Sequence, residues 1–170
     1  GVQTCALPIY DDLMRAMEHS GAAVEPGDML LLRTGFSELV LSMQRQPDEH
    51  RLHHSCAALD GSDPKLLQWI TDSGITALIA DNYAVERHPR RSAPTDGSAH
   101  PLLPLHEHCL FKLGLPLGEL WYLKELADQQ KAAIEEKVEA ARRRMENGTA
   151  FLTSCLADFF NTVPHKTTKT

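Results

Sequence analysis

Apolar and polar positions along this chain fall into blocks that predict helices and strands in turn. Leu13, Met14 and Met17 share one side of a helix that Asp11 or Asp12 can cap and that Gly21 stops. Pro26-Gly-Asp28 forms a turn, and Met29-Leu-Leu-Leu32 is a continuous apolar run, the length expected of a strand covered on both faces. Ser62-Asp-Pro64 starts a second helix, with a capping side chain ahead of proline at the first helical position. That helix carries Leu66, Leu67 and Ile70, ends at Gly74, and leads into a second buried strand, Ile75 to Ala80, closed by Asp81-Asn82. The segment from Tyr83 to Pro104 is rich in Pro, Arg, His and Ser and reads as a long exposed loop. Beyond it the pattern predicts a short amphipathic helix from Leu105, stopped by Gly114, and an apolar strand that delivers Glu119 among hydrophobic neighbours. A long charged helix to Glu146 and an apolar run at Ala150 to Thr153 complete the series. Strands alternating with helices indicate an α/β domain with helices packed on a sheet.

Composition narrows the field. A chain of 170 residues with 42% hydrophobic content suits one globular domain with a substantial core. The net charge of −6 and pI near 5.8 argue against a nucleic-acid footprint, which needs clustered excess Lys and Arg. No apolar run approaches the length of a membrane span. A basic stretch followed by an apolar run, the mark of a secretory signal, does not stand at the start. Cys5, Cys56, Cys109 and Cys155 are widely spaced, a pattern that fits reduced thiols in a cytoplasmic protein rather than a disulfide framework. Residues 1–9 back-translate as GGA GTT CAG ACG TGT GCT CTT CCG ATC, resembling a short-read sequencing adapter. They are read as a library artefact and set aside, which takes Cys5 out of every argument. The expected organisation is this artefact, a partial domain over residues 10–154, and a divergent, disordered tail over 155–170.

Candidate chemistry concentrates around residue 106. A helix-borne imidazole, His106 or His108, and the strand-borne Glu119 are ligand types for a divalent ion such as zinc. Two donors are too few for a site, and an isolated pair at this spacing is more often a surface histidine and a strand end. Asp81 lies at the C-terminal edge of a buried strand, where α/β proteins place site residues; its other reading is an Asx cap on the following turn. Arg33 could grip a substrate carboxylate bidentately, and equally could neutralise an acidic neighbour at the strand end. His50, His53, His54 and Cys56 have zinc-ligand composition but no matching downstream pair, so a mobile polar loop is the better reading. Arg87, His88, Arg90 and Arg91 read as solvated surface, and Cys109 as core.

Several segments, taken in order, resemble one family. Pro26-Gly-Asp-Met-Leu-Leu-Leu-Arg-Thr-Gly35, Leu59-Asp-Gly-Ser62, Ile79-Ala-Asp-Asn82 with Val85-Glu86, and Leu113-Gly-Leu-Pro-Leu-Gly-Glu-Leu-Trp121 are similar to motifs of the metal-dependent cyclase family, which includes bacterial kynurenine formamidases. The resemblance covers residues 10–128 and implies a swivelling β/β/α fold, here incomplete. It implies hydrolysis of an amide or related acyl compound, arylformamidase-like, with zinc or manganese and a small-molecule substrate. On register, its second-half metal ligands fall on His106 and Glu119, leaving His108 on another helix face as a solvent or loop contact.

The chain departs from that family in two places. The His-x-Gly-Thr-His-x-Asp-like motif, which supplies the other ligands and the catalytic base, does not occur, so no catalytic residue is assigned. After Phe151-Leu-Thr-Ser154, which resembles the family's final strand, the expected Gly-rich ending is replaced by an unrelated run. Two function classes follow. In one, the chain is the C-terminal portion of a metal-dependent hydrolase, itself inactive, with a homo-oligomer left open. In the other it is a non-catalytic interaction module using the helix over residues 128–147, where Ile134, Val138, Ala141 and Met145 form a narrow apolar stripe stopped by Gly148.

Overall fold

The computed structural model of the chain describes residues 8–88, 101–145 and 157–158. Its elements run α1 (Tyr10–Ser20), β1 (Met29–Arg33), α2 (Phe36–Ser42), α3 (Glu49–His54), α4 (Pro64–Ser73), β2 (Ala77–Ala80), α5 (Pro104–His106), β3 (Leu117–Gly118), α6 (Lys124–Met145) and β4 (Ala157–Asp158). A π-helix, Glu107–Leu113, continues α5 directly. The four strands are parallel in the order β3-β2-β1-β4, with Met29 beside Ala77 and Leu78 beside Leu117. This is an α/β fold, as the alternating pattern required.

The core lies between α1, α4 and the sheet, where Leu13, Leu30, Leu32, Leu66, Ile70, Leu78 and Ala80 pack with Leu105 and Cys109. Burying each leucine contributes about 2 kcal/mol. β2 is buried at every position, as a central parallel strand should be. β1 is not: Leu30 and Leu32 face the core, while Met29 is 58% exposed and Leu31 half-buried, so the expectation of cover on both faces fails there. The second strand also starts two residues late, because Thr76 is taken by the Pro26 turn, donating its N–H to Asp28 at 2.7 Å.

Helix ends show the local rules at work. Asp63 accepts from Lys65 N at 2.9 Å with Pro64 behind it, and Gly74 ends α4 at φ 69°. The N-cap position of α1 is Ile9 rather than an aspartate; Asp12, in its first turn, accepts from Ile9 N at 3.1 Å. Pro8 is buried and its carbonyl accepts from Asp60 N at 2.9 Å. The polar segment read as a loop around His50 forms α3, capped by Asp48, whose side chain accepts from Arg51 N at 3.0 Å. α6 is exposed or half-buried at every described side chain, with Val138 60% exposed; Ile134, Ala141 and Met145 lie outside the described side chains. The run at 150–154 also lies outside the described residues, whereas Ala157–Asp158, within the segment read as a tail, pairs with β1 at Leu32 and Arg33. Among the described residues no helix is long and apolar enough to cross a membrane.

Candidate metal-donor site

The site forms where α5, the end of β3 and the chain after β2 meet. Leu105 and Cys109 are fully buried, and the intervening His106 is turned sideways, its side chain 21% exposed. Gly114 ends the π-helix at φ 66°, and Leu115 N closes onto the Cys109 carbonyl at 2.8 Å. The chain then runs back through β3 alongside β2. Glu119 is therefore not in the strand but one residue past it. Gly118 makes that approach close: a Cβ there would lie 3.0 Å from Ile79 Cγ1 and 3.1 Å from Trp121 Nε1, tight contacts that those side chains would have to relieve. Leu120, immediately after Glu119, has φ 56°, a left-handed conformation costly for a leucine.

Three side chains line up. Glu86 Oε1 stands 2.8 Å from His106 Nδ1, and His106 Nε2 stands 3.0 Å from Glu119 Oε1. Glu86 is 1% exposed and also accepts from Leu105 N at 3.0 Å and His106 N at 2.8 Å. A carboxylate only accepts, and both ring nitrogens face one, so either contact is a hydrogen bond only when its nitrogen carries a proton; an ion held between Nε2 and Glu119 would leave the proton on Nδ1, donated to Glu86. Glu119 Oε1 also takes a long contact from Val85 N, 3.4 Å. The flanking thiol of Cys109 is pushed up to about 12 by burial first and by the Glu86 charge second.

The donor chemistry fits half of a metal centre. Two ligands each about 2.1 Å from one ion stand about 3 Å apart at a right angle, close to the Nε2–Oε1 separation. A carboxylate on the far ring nitrogen is the usual support of a metal-binding histidine. Among the described residues no group of three or more His, Cys, Asp or Glu could hold a metal ion.

The other candidates lie elsewhere in the structure. Asp81 is fully buried and neither joins this site nor caps the turn after it. Its oxygens accept from Thr34 N (2.7 Å), Thr34 Oγ1 (2.6 Å) and Gly35 N (2.8 Å), clamping the turn that opens α2. Arg33 pairs with Glu38 at 2.6 Å. His108 Nε2 meets Thr71 Oγ1 at 2.8 Å, a contact to α4 rather than to solvent or a loop. His50 and His54 stack at 4.3 Å, and His53 lies edge-on to Tyr83. Of the basic patch, Arg87 and His88 are exposed and the rest lies outside the described residues. Glu86 carried no role in the sequence reading, although its segment was noted there. Its partners lie 19 and 20 residues away, and no periodicity links them.

The model of the Cyclase family matches residues 6–87, which include Glu86 and stop short of His106. A crystal structure described as that of a novel cyclase is similar at 27% identity and TM-score 0.55, over 75% of this chain. The chain spans 38% of the length of that protein. No curated protein matches the chain.

Proposed function

From a chain that belongs, over residues 6–87, to the cyclase family, we infer one part of an enzyme's metal-dependent hydrolytic site, in which His106 and Glu119 are metal donors. The observation that carries this is the 3.0 Å approach of Nε2 to Oε1 with Nδ1 already held by Glu86. A divalent ion, zinc or manganese, would bring its usual chemistry, acidifying a water and polarising an acyl carbonyl. The chain's own share is to present one nitrogen and one oxygen and to fix the imidazole. The finer reading, carried by the motif resemblance, is an arylformamidase-like amide hydrolase that converts N-formylkynurenine to kynurenine in cytoplasmic tryptophan catabolism.

Metal titration tests this. We expect zinc or manganese to bind this chain measurably and His106→Ala or Glu119→Ala to weaken that binding at least tenfold, while N-formylkynurenine is hydrolysed little or not at all. Binding that is unchanged in both variants removes the metal reading; efficient hydrolysis by the chain alone overturns the partial-site reading.

A second reading rests on α6, a helix of 22 residues whose described side chains are all exposed or half-buried. A helix that leaves Leu126 and Val138 exposed gains little from packing on its own domain, which favours a partner-binding role.

A further inference from the structure

Gly61 has no side chain at a point where one would collide with the support of His106. A Cβ built there would lie 1.8 Å from Glu86 Oε2, 2.8 Å from Glu86 Cδ and 2.9 Å from Leu105 Cβ. Its φ lies outside the left-handed region, so space, not backbone conformation, demands glycine. The backbone around it cannot easily retreat. Leu59 N donates to the Val85 carbonyl at 3.1 Å and Arg87 N to the Leu59 carbonyl at 2.9 Å, a parallel bridge that locks residue 59 beside Glu86. On the other side Asp63 N closes onto the Asp60 carbonyl at 3.0 Å, and Asp63 caps α4 while accepting from Tyr10 N at 2.7 Å. With both flanks fixed, a methyl group at 61 must move the Glu86 carboxylate. Among the described residues, the three bonds of that carboxylate go to Leu105 and His106, so any shift reaches the imidazole at once.

We propose that Gly61 and Glu86 form a positioning pair for His106: the missing Cβ at 61 admits the Glu86 carboxylate, which fixes the ring's tautomer and direction. Neither residue touches a metal or a substrate. Only the metal arm of the test below rests on the functional reading above; the imidazole arm stands without it.

The experiment is a double-mutant cycle in the full chain with Gly61→Ala, Glu86→Asp and the pair combined. Removing one methylene from residue 86 withdraws the carboxylate from the space that the new methyl takes. Nitrogen NMR of the His106 ring reads the tautomer, zinc titration reads affinity, and denaturant midpoints read folding. Gly61→Ala alone is expected to remove the Nδ1–H preference and to weaken zinc binding 10- to 100-fold, the range for loss of a ligand's supporting group. In the Glu86→Asp background the same Gly61→Ala change is expected to cost less than twofold. Equal cost in both backgrounds, or an unaltered ring in a folded Gly61→Ala protein, overturns the proposal. Should Gly61→Ala fail to fold, Glu86→Ala keeps the space at 61 and removes the acceptor altogether, and is expected to abolish the Nδ1–H preference and weaken zinc binding at least tenfold; an unaltered ring in that folded variant overturns the proposal equally. A ring that responds in a protein binding no zinc keeps the positioning pair and rejects the metal reading.

Discussion

Asp81 and Glu86 are both buried carboxylates in the chain that follows β2, yet they serve opposite purposes. Asp81 gives both oxygens to one turn, Thr34 to Ser37, and leaves nothing pointing outward. Glu86 gives its oxygens to Leu105 and His106, and the imidazole it holds presents a second nitrogen to Glu119. The turn at Asp81 uses Gly35 where φ is 84°, whereas the turn at Glu119 puts Leu120 at φ 56°. One carboxylate closes a structure; the other hands a side chain forward. A buried charge is therefore read by where its hydrogen bonds end, not by its burial.

The largest effect expected from breaking this comparison is on the closing side. Asp81→Ala orphans Thr34 N and Gly35 N in a buried turn, at about 1–3 kcal/mol each. A loss near 3 kcal/mol or more should appear as a fall in urea midpoint, with zinc affinity of the folded fraction intact. Lost zinc binding at full stability would reverse the assignment of the two carboxylates.

Next comes Cys109, a reporter for the forward-facing side. Its folded pKa of about 12 lies above the ordinary 9.0, so the folded state holds its proton longer than the unfolded state. Stability should therefore be unaffected by this thiol below pH 9 and fall between about 9 and 12, by at most about 1.4 kcal/mol per pH unit. Thiolate absorbance should appear only at the top of that window, and Glu86→Gln should bring it earlier because part of the rise is Glu86's charge. An unmoved thiolate in that variant would show that burial alone sets it.

The smallest effect is at Leu120. Leu120→Gly relieves a left-handed leucine that costs about 1 kcal/mol, partly offset by the freedom glycine adds to the unfolded chain. Thermal unfolding should shift upward by a few degrees or stay level. A clear drop would mean that the exposed leucine side chain is held by contacts that outweigh the strain.

Periodicity and turn residues carried much of the fold. The Asp63-Pro64 start, the glycine stops at 21, 74 and 114, the buried run at 77–80 and the long final helix were all readable because each depends on neighbours within a turn. What stayed hidden depends on distant residues. Met29-Leu-Leu-Leu32 looks like a strand buried on both faces, but what covers a strand's second face is not written in the strand. α3 was lost because its histidines look like loop composition while its cap, Asp48, is local but weak evidence. At the site, motif register singled out His106 and Glu119; Glu86 and Gly61 act through a fit across 25 residues that no spacing rule encodes.

The sequence distances behind these bonds carry one more consequence. Asp81 reaches Thr34 across 47 residues, whereas His106 meets Glu119 across 13 and Glu86 meets His106 across 20. Loop-closure entropy rises with the logarithm of the separation, so the short closure costs about 1 kcal/mol less chain freedom than the long one. The imidazole and its carboxylates thus form a local cassette of the chain. It can be assembled as soon as β2 and the π-helix meet, before the sheet's far edge is in place.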